Sequence, residues 1–292
     1  MARDGDGWAL CAQGHRHWGL HGASGLLAVH FDKDGVPHVL MQQRALWSHH
    51  GGTWGLPGGA LDSHEDAVSG ALREALEEAA LLADGLRVLG VYTDDHGGWT
   101  FQTVIAEAAT LLPAVPANGE SISLRWLPAD EIAGEAGLHP GFAHTWPEIR
   151  PALPPSVVVL DAANIVGARA EHGWWRDRAG AARRLRDEVD TRAKDGLRPP
   201  EGFPAPAMWF PRIVMVVEGK ARGLEPTPGV EVVEAPGSGD DAIVDTVREI
   251  RGTRSWERVL VVTADRELRR RVAELDAQVT GPGWLLGQLR PR

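Results

Sequence analysis

The sequence predicts an α/β chain of two domains, an α/β/α sandwich on a mixed sheet over residues 1–150 and a doubly wound parallel sheet over 156–292. Three observations carry that reading. Pro151, Pro154 and Pro155 make 151–155 a stiff segment that neither continues a helix nor joins a sheet interior. Charge changes across it: residues 1–150 hold 8 Lys+Arg against 19 Asp+Glu, a balance of −11, and residues 151–292 hold 22 against 21, or +1. The strand pattern also changes, from strands with few helices before the break to β-branched runs alternating with helical stretches after it.

In the first half, ASGLLAVHF (23–31) and PHVLMQQR (37–44) read as strands joined by a turn at Asp34-Gly35. A helix follows, with Val68, Ala71, Leu72, Ala75, Leu76 and Ala79 at helical spacing and a capping-box-like start at Ser63 and Asp66. Val88–Thr93, Thr100–Ala108 and 121–127 read as further strands, and Pro128–Ala136 as a short helix. In the second half, SVVVL (156–160), IVMVV (213–217), VEVV (230–233) and VLVV (259–262) have the composition of strands buried on both faces of a parallel sheet. Helical patterns occupy about 176–194, 240–251 and 265–275, and the proline-rich stretch 197–212 reads as an ordered loop or flap over one edge.

The chemistry concentrates on the first helix. Glu74, Glu77 and Glu78 stand at i, i+3 and i+4 and share one face, where like charges repel. A solvated acidic face is one reading. The other is a hard divalent cation, Mg²⁺ or Mn²⁺, held by carboxylates and sharing its remaining positions with water and substrate phosphate. Arg44, at the end of a strand before the glycine turn, is a candidate for contact with those phosphates, and Trp54, Trp99 and Phe101 are candidates to stack a base. His15, His17 and His21 lie near Cys11, but their spacing matches no tetrahedral zinc pattern.

Gly59, Glu65 after five residues, Arg73-Glu74 after seven more, and then Glu77-Glu78 resemble the signature of the Nudix hydrolases, and Trp54-Gly55-Leu56-Pro57-Gly58 resembles its lead-in. The resemblance implies a metal-dependent pyrophosphohydrolase. Its metal ligands would be the Gly58 carbonyl, Glu74, Glu77 and Glu78, with Arg73 an orienting partner, Glu65 a supporting carboxylate, and Arg44 approaching the substrate. Gly59 and Trp54 are further candidates for substrate contact. The resemblance also places Glu120, in the loop before the last strand, as an extra ligand or base, so the base stays open between Glu74 and Glu120. Two positions depart from the family: Ala80 stands where it has glycine, and Ala75 where a larger aliphatic is usual.

The acids of the second half fall at strand ends, where doubly wound sheets collect ligands. Asp161 follows the first run with Asn164 three residues on, Glu218 follows the second, Asp265 and Glu267 the last, and Asp240, Asp241 and Asp245 open a helix. Helix capping accounts for any one of them. Together they resemble the NYN branch of PIN-like nucleases, which implies Asp161, Asp241, Asp245 and Asp265 around a metal, Asn164 beside them, and ribonuclease activity. Arg176, Arg178, Arg183, Arg184 and Arg186 on one helix, and Arg266, Arg269, Arg270 and Arg271 on another, are candidates for RNA phosphate contacts, with Arg183 and Arg184 foremost. A salt-bridged, solvated face competes with that reading.

A lone cysteine, Cys11, excludes an intrachain disulfide and a thiolate metal cluster. No apolar run approaches bilayer length, so a cytoplasmic protein without a membrane partner is expected. The expected substrate is a nucleoside diphosphate derivative, either a small nucleotide or an RNA 5′ end. The alternatives are a first domain that senses a nucleotide and a second that binds RNA without cutting it.

Overall fold

A computed structural model describes residues 4–169 and 177–289; Arg176, among the candidate RNA contacts, lies outside them. The chain divides into two compact units, Met1–Leu153 with Ala205–Met208, and Pro154–Pro204 with Trp209–Arg292.

The first unit begins with a small antiparallel hairpin, β1 (Trp8–Leu10) and β2 (Arg16–Trp18), which the sequence did not announce. A mixed sheet follows, with β3 (Ala23–Phe31) at its centre. That strand runs antiparallel to β4 (Pro37–Arg44) and, after β5 (Trp54–Gly55), to β6 (Gly58–Ala60). Helix α1 (Ala67–Ala79) precedes β7 (Leu86–Asp95) and β8 (Thr100–Ala108); β8 pairs parallel with β3 and antiparallel with β7. Last come β9 (Ser121–Pro128) on β4, α2 (Ala129–Ile132) and α3 (Pro140–Ile149). The expected helix over 128–136 is thus one turn, and α3 is an addition. Residues 205–208 lie with this unit, at the sheet edge next to β7.

Leu26, Leu27, Leu40, Met41 and Ile105 fill the core, and α1 lies on β3 through Ala71, Ala75 and Ala79, all fully buried. Small side chains on that face let helix and sheet approach closely, which brings the carboxylates of α1 over the glycine turn of β6. The helix starts later than Ser63 implied. Asp66 is the cap, accepting from the Ser69 amide (2.8 Å), while the Ser63 hydroxyl donates to Asp4 instead (2.6 Å).

The second unit is an all-parallel five-stranded sheet in the order β13-β12-β10-β14-β15. Its elements are β10 (Ser156–Asp161), α4 (Ala162–Ala168), α5 (Arg178–Lys194), β12 (Arg212–Val217), β13 (Glu231–Glu234), α6 (Gly239–Thr253), β14 (Arg258–Val262), α7 (Arg266–Ala273), β15 (Gln278–Thr280) and α8 (Pro282–Leu289); β11 (Met208–Trp209) is outside this sheet, and its Met208 counts with the first unit. Val157, Val159, Val214, Val216, Val259 and Val261 meet Ile243, Val247, Leu268 and Val272 of α6 and α7. The alternate residues Val158, Leu160, Ile213, Met215 and Leu260 are equally buried, as strands covered on both faces require. From β10 the chain winds one way to β12 and β13, then returns to the other side for β14 and β15, so a crevice opens between the carboxyl ends of β10 and β14. No helix among the described residues is long and apolar enough to cross a membrane.

Candidate active site

Arg73 organises the acidic face of α1. Its guanidinium donates through Nε and one terminal nitrogen to both oxygens of Glu65 (2.7 and 2.8 Å) and to the Ala60 carbonyl (3.0 Å), and through the other terminal nitrogen to Glu74 (2.5 Å). Glu77 lies 3.7 Å from the same nitrogen. The bidentate grip holds the Glu65 carboxyl down at about 2. Glu65 in turn accepts from the Asp62 amide (3.1 Å), which fixes the loop ahead of the helix. The arginine therefore orients Glu74 and ties it to Glu65.

The two glycines of the turn permit two close approaches, one by a carboxylate and one by the backbone of β3. A Cβ on Gly59 would fall 2.7 Å from the Glu74 carboxylate, and one on Gly58 would fall 2.5 Å from the Ser24 carbonyl. Gly59 thus makes space for Glu74. The Gly58 amide donates to Glu78 (2.9 Å), the most buried of the helix's acids at 2% exposure. Burial pushes the Glu78 carboxyl up to about 8, with the Glu74 and Glu120 charges adding to the rise and the Gly58 amide and Arg44 opposing it. A carboxyl this strained toward neutrality, beside a second buried carboxylate, is a donor set that a hard cation fits.

The loop residues arrive through a bulge. The β4–β9 ladder slips between Gln43 and Arg44, so Arg44 pairs with Ser121, and the Ala45 amide bonds the Glu120 carbonyl (2.8 Å). Arg44 and exposed Glu120 thereby come within electrostatic reach of Glu78. Beneath them the buried Gln42 amide donates to the Ser121 hydroxyl (2.7 Å), which donates to the Glu78 carbonyl (3.0 Å). This bracing was not legible in the sequence, because its members lie 79 and 43 residues apart. Also near Arg44, His49, His50 and His139 gather, and burial with the Arg44 charge pushes His139 down to about 4.

The expected base-stacking aromatics are otherwise engaged. Trp54 is buried, with the Arg125 guanidinium 4.0 Å over its ring, and Trp99 is buried against the His17 ring at 4.1 Å. Burial accounts for both tryptophans as packing, and Phe101 is half-buried against the cluster of Cys11, Ala23 and Trp99.

In the second unit, Asp161 is buried at the end of β10. It accepts from the Asn164 amide (3.0 Å) and the Thr263 hydroxyl (2.8 Å), and the Asn164 side chain accepts from the Ala264 amide (2.9 Å), which ties β10 to β14 across the crevice. Burial raises the Asp161 carboxyl, and the Asp240 and Glu218 charges raise it further; Asp240 rises by burial and by the Asp265 charge. Asp265 also caps α7 through the Leu268 amide (2.8 Å). Asp241 and Asp245 turn elsewhere: both are exposed, on Arg271 (2.7 Å) and Arg248 (2.5 Å). Asp240, one residue earlier, is the member of α6 that joins the group. Arg183 and Arg184 are exposed on α5, Arg184 with Asp177 3.8 Å away, while Arg186 and Arg270 pair with Asp187, Glu267 and Glu274. Much of the basic surface is salt-bridged, as the competing reading held.

The NUDIX domain family model matches residues 22–147, the stretch that carries the Arg73 hub and the glycine turn. A protein of Mycobacterium tuberculosis called putative 8-oxo-dGTP diphosphatase 3 is 49% identical over 163 residues, covering 54% of this chain and 73% of that protein. The chain belongs to the Nudix family. A nucleoside triphosphate pyrophosphatase/Nudix hydrolase fusion protein of Bifidobacterium longum is 45% identical over 133 residues, 44% of this chain and 27% of that one. Among solved structures, the Nudix hydrolase RenU of M. smegmatis is 48% identical, covering 50% of this chain and 93% of that one at a TM-score of 0.46. The Nudix match ends before the parallel-sheet unit begins.

Proposed function

We propose that the chain hydrolyses a phosphoanhydride bond of a nucleoside triphosphate-type substrate in its Nudix unit, with a divalent cation, Mg²⁺ or Mn²⁺. One observation carries the reading: Arg73 fixes Glu74 and the Gly58 amide fixes Glu78 on one face of α1, where burial and the Glu74 charge push the Glu78 carboxyl up, a set of oxygen donors that suits a hard divalent cation. Glu74, Glu77, Glu78 and the Gly58 carbonyl would hold the cation. When bound, it supplies charge neutralisation for the diphosphate and a more acidic water. Arg73 keeps Glu74 oriented, and the bulge presents Arg44 to substrate phosphate. The proton of the attacking water passes to Glu74 or to Glu120; Arg73 already occupies one Glu74 oxygen, which favours Glu120. The curated relatives named for nucleotide hydrolysis support the substrate class.

A panel of nucleoside triphosphates, oxidised ones included, tests this with the full chain and Mg²⁺. Turnover is expected, and Glu77→Gln should lower it by at least about 100-fold, the scale of one lost charge-stabilising group. No turnover across the panel contradicts the proposal.

A second reading rests on the carboxylates of the parallel sheet. Asp161, Glu218, Asp240 and Asp265, gathered where the strand order reverses, would bind a divalent cation and cut RNA in the manner of the NYN and PIN-like nucleases. The salt-bridged arginines count against a broad RNA-binding face. Under this reading Asp161→Asn abolishes cleavage of single-stranded RNA and leaves nucleotide turnover intact. Cleavage unchanged in that variant removes the assignment and leaves at most RNA binding.

A further inference from the structure

The hairpin of β1 and β2 brings together residues whose chemistry differs from that of the carboxylate face. Cys11, His15 and His17 each place one ligand atom within 4.8 Å of the others. The loop is wound to do so: the Cys11 amide donates to the His15 carbonyl (3.0 Å), and the Gly14 amide donates back to the Cys11 carbonyl (3.0 Å). In strand β2 the His17 ring is held flat against Trp99 (4.1 Å, 12°), whose indole N–H donates to the Gly19 carbonyl (2.9 Å). The Nε2 atom of His17 is enclosed and has no hydrogen-bond partner among the described residues. An enclosed imidazole nitrogen without a partner is costly unless something binds it.

A fourth group comes from a distant part of the chain. The His96 ring, in the β7–β8 turn, lies 4.6 Å from the His17 ring, and its Nε2 bonds the Asp94 carboxylate at 3.0 Å. Carboxylate-backed histidines are the common form of metal-bound imidazole, the partner fixing the tautomer and leaving the other nitrogen for the metal. The Ala12 amide fastens the hairpin loop to this turn through the Gly97 carbonyl (2.7 Å). His21, grouped with the others by sequence proximity, faces Asp4 at 4.0 Å instead.

We propose that Cys11, His15 and His17, with His96 as the fourth ligand, bind one Zn²⁺ that clamps the N-terminal hairpin onto the β7–β8 turn. One thiolate and three imidazoles make a soft, nitrogen-rich set that suits zinc and not the magnesium of the glutamate face. The hairpin has need of such a clamp. Its strands are three residues each, it leaves Leu10 and Trp18 exposed, and its Ala9 and Cys11 join a small apolar cluster with Ala23, Trp99 and Phe101. Isolated two-stranded ribbons of that size are marginal in water.

Cobalt substitution of the full chain, stripped by chelator, tests the site. Because Cys11 is the only thiol, a thiolate-to-cobalt charge-transfer band reports this site alone. The band should saturate at one equivalent, disappear on adding zinc, and be unchanged in Glu77→Gln. His15→Ala with His17→Ala should weaken cobalt by more than the roughly 100-fold that loss of an outer partner costs. Zinc should also raise the melting temperature of the wild type and not that of Cys11→Ser. A wild type without the band, or a double histidine variant that keeps its affinity, overturns the proposal.

Discussion

Glu78 is the residue at which the chemistry of the acidic face is most exposed to measurement. Its carboxyl is raised to about 8 in the folded protein, chiefly by burial. A raised acid favours folding while it is protonated, so without metal its contribution is full below the unfolded value near 4.5, drains as pH climbs, and is gone above about 8. Thermal melting of the metal-free chain from pH 5 to 9 should therefore fall more steeply with pH than melting of Glu78→Gln; parallel curves would remove the strained carboxyl from the account. The three glutamates and their arginine were legible because their meaning depends on spacing within one helix. Trp54 was not, since its burial is decided by Arg125 on another strand. Nor was Asp240 separable from Asp241, because which of two adjacent acids faces the crevice depends on where the helix begins.

Among the elements, α1 carries the site, and its two ends differ from what local sequence pattern alone implies. At the start, Asp66 caps and Ser63 is diverted to Asp4, a bond made across 59 positions that no local pattern reveals. At the end, Ala80 adopts a left-handed conformation (φ 54°) while its amide closes the helix on Leu76 (3.1 Å) and the Leu81 amide reaches Ala75 (3.2 Å). That is the geometry glycine serves at helix ends. Ala80→Gly should therefore stabilise the chain by roughly 1 kcal/mol, the left-handed strain of alanine less the entropy glycine adds to the unfolded chain. Denaturant unfolding reads this directly, and an unchanged or lowered midpoint would show the strain to be absent. Ala75 at full burial shows why no larger aliphatic stands there: the helix lies close on β3. The β1–β2 hairpin and α3 escaped the sequence reading because their strands are three residues long and Pro147 interrupts the helical pattern.

At the scale of the molecule, two sheets of different kinds share one chain. The mixed sheet and the parallel sheet were both legible, because buried β-branched runs and helical stretches alternate in the second half and not in the first. The return of residues 205–208 to the first unit was not, since nothing in a proline-rich stretch says which sheet edge it will meet. The balance of −11 before the break includes Glu74, Glu77 and Glu78, where the cation is proposed to sit, and several of the arginines after it pair with acids of their own or a neighbouring helix. The most direct test is therefore a diffraction experiment on crystals soaked in Mn²⁺, read by anomalous scattering. A peak within coordination distance of Glu74, Glu78 and the Gly58 carbonyl is the predicted result; a silent map there, with those carboxylates turned to bulk water, would contradict the account.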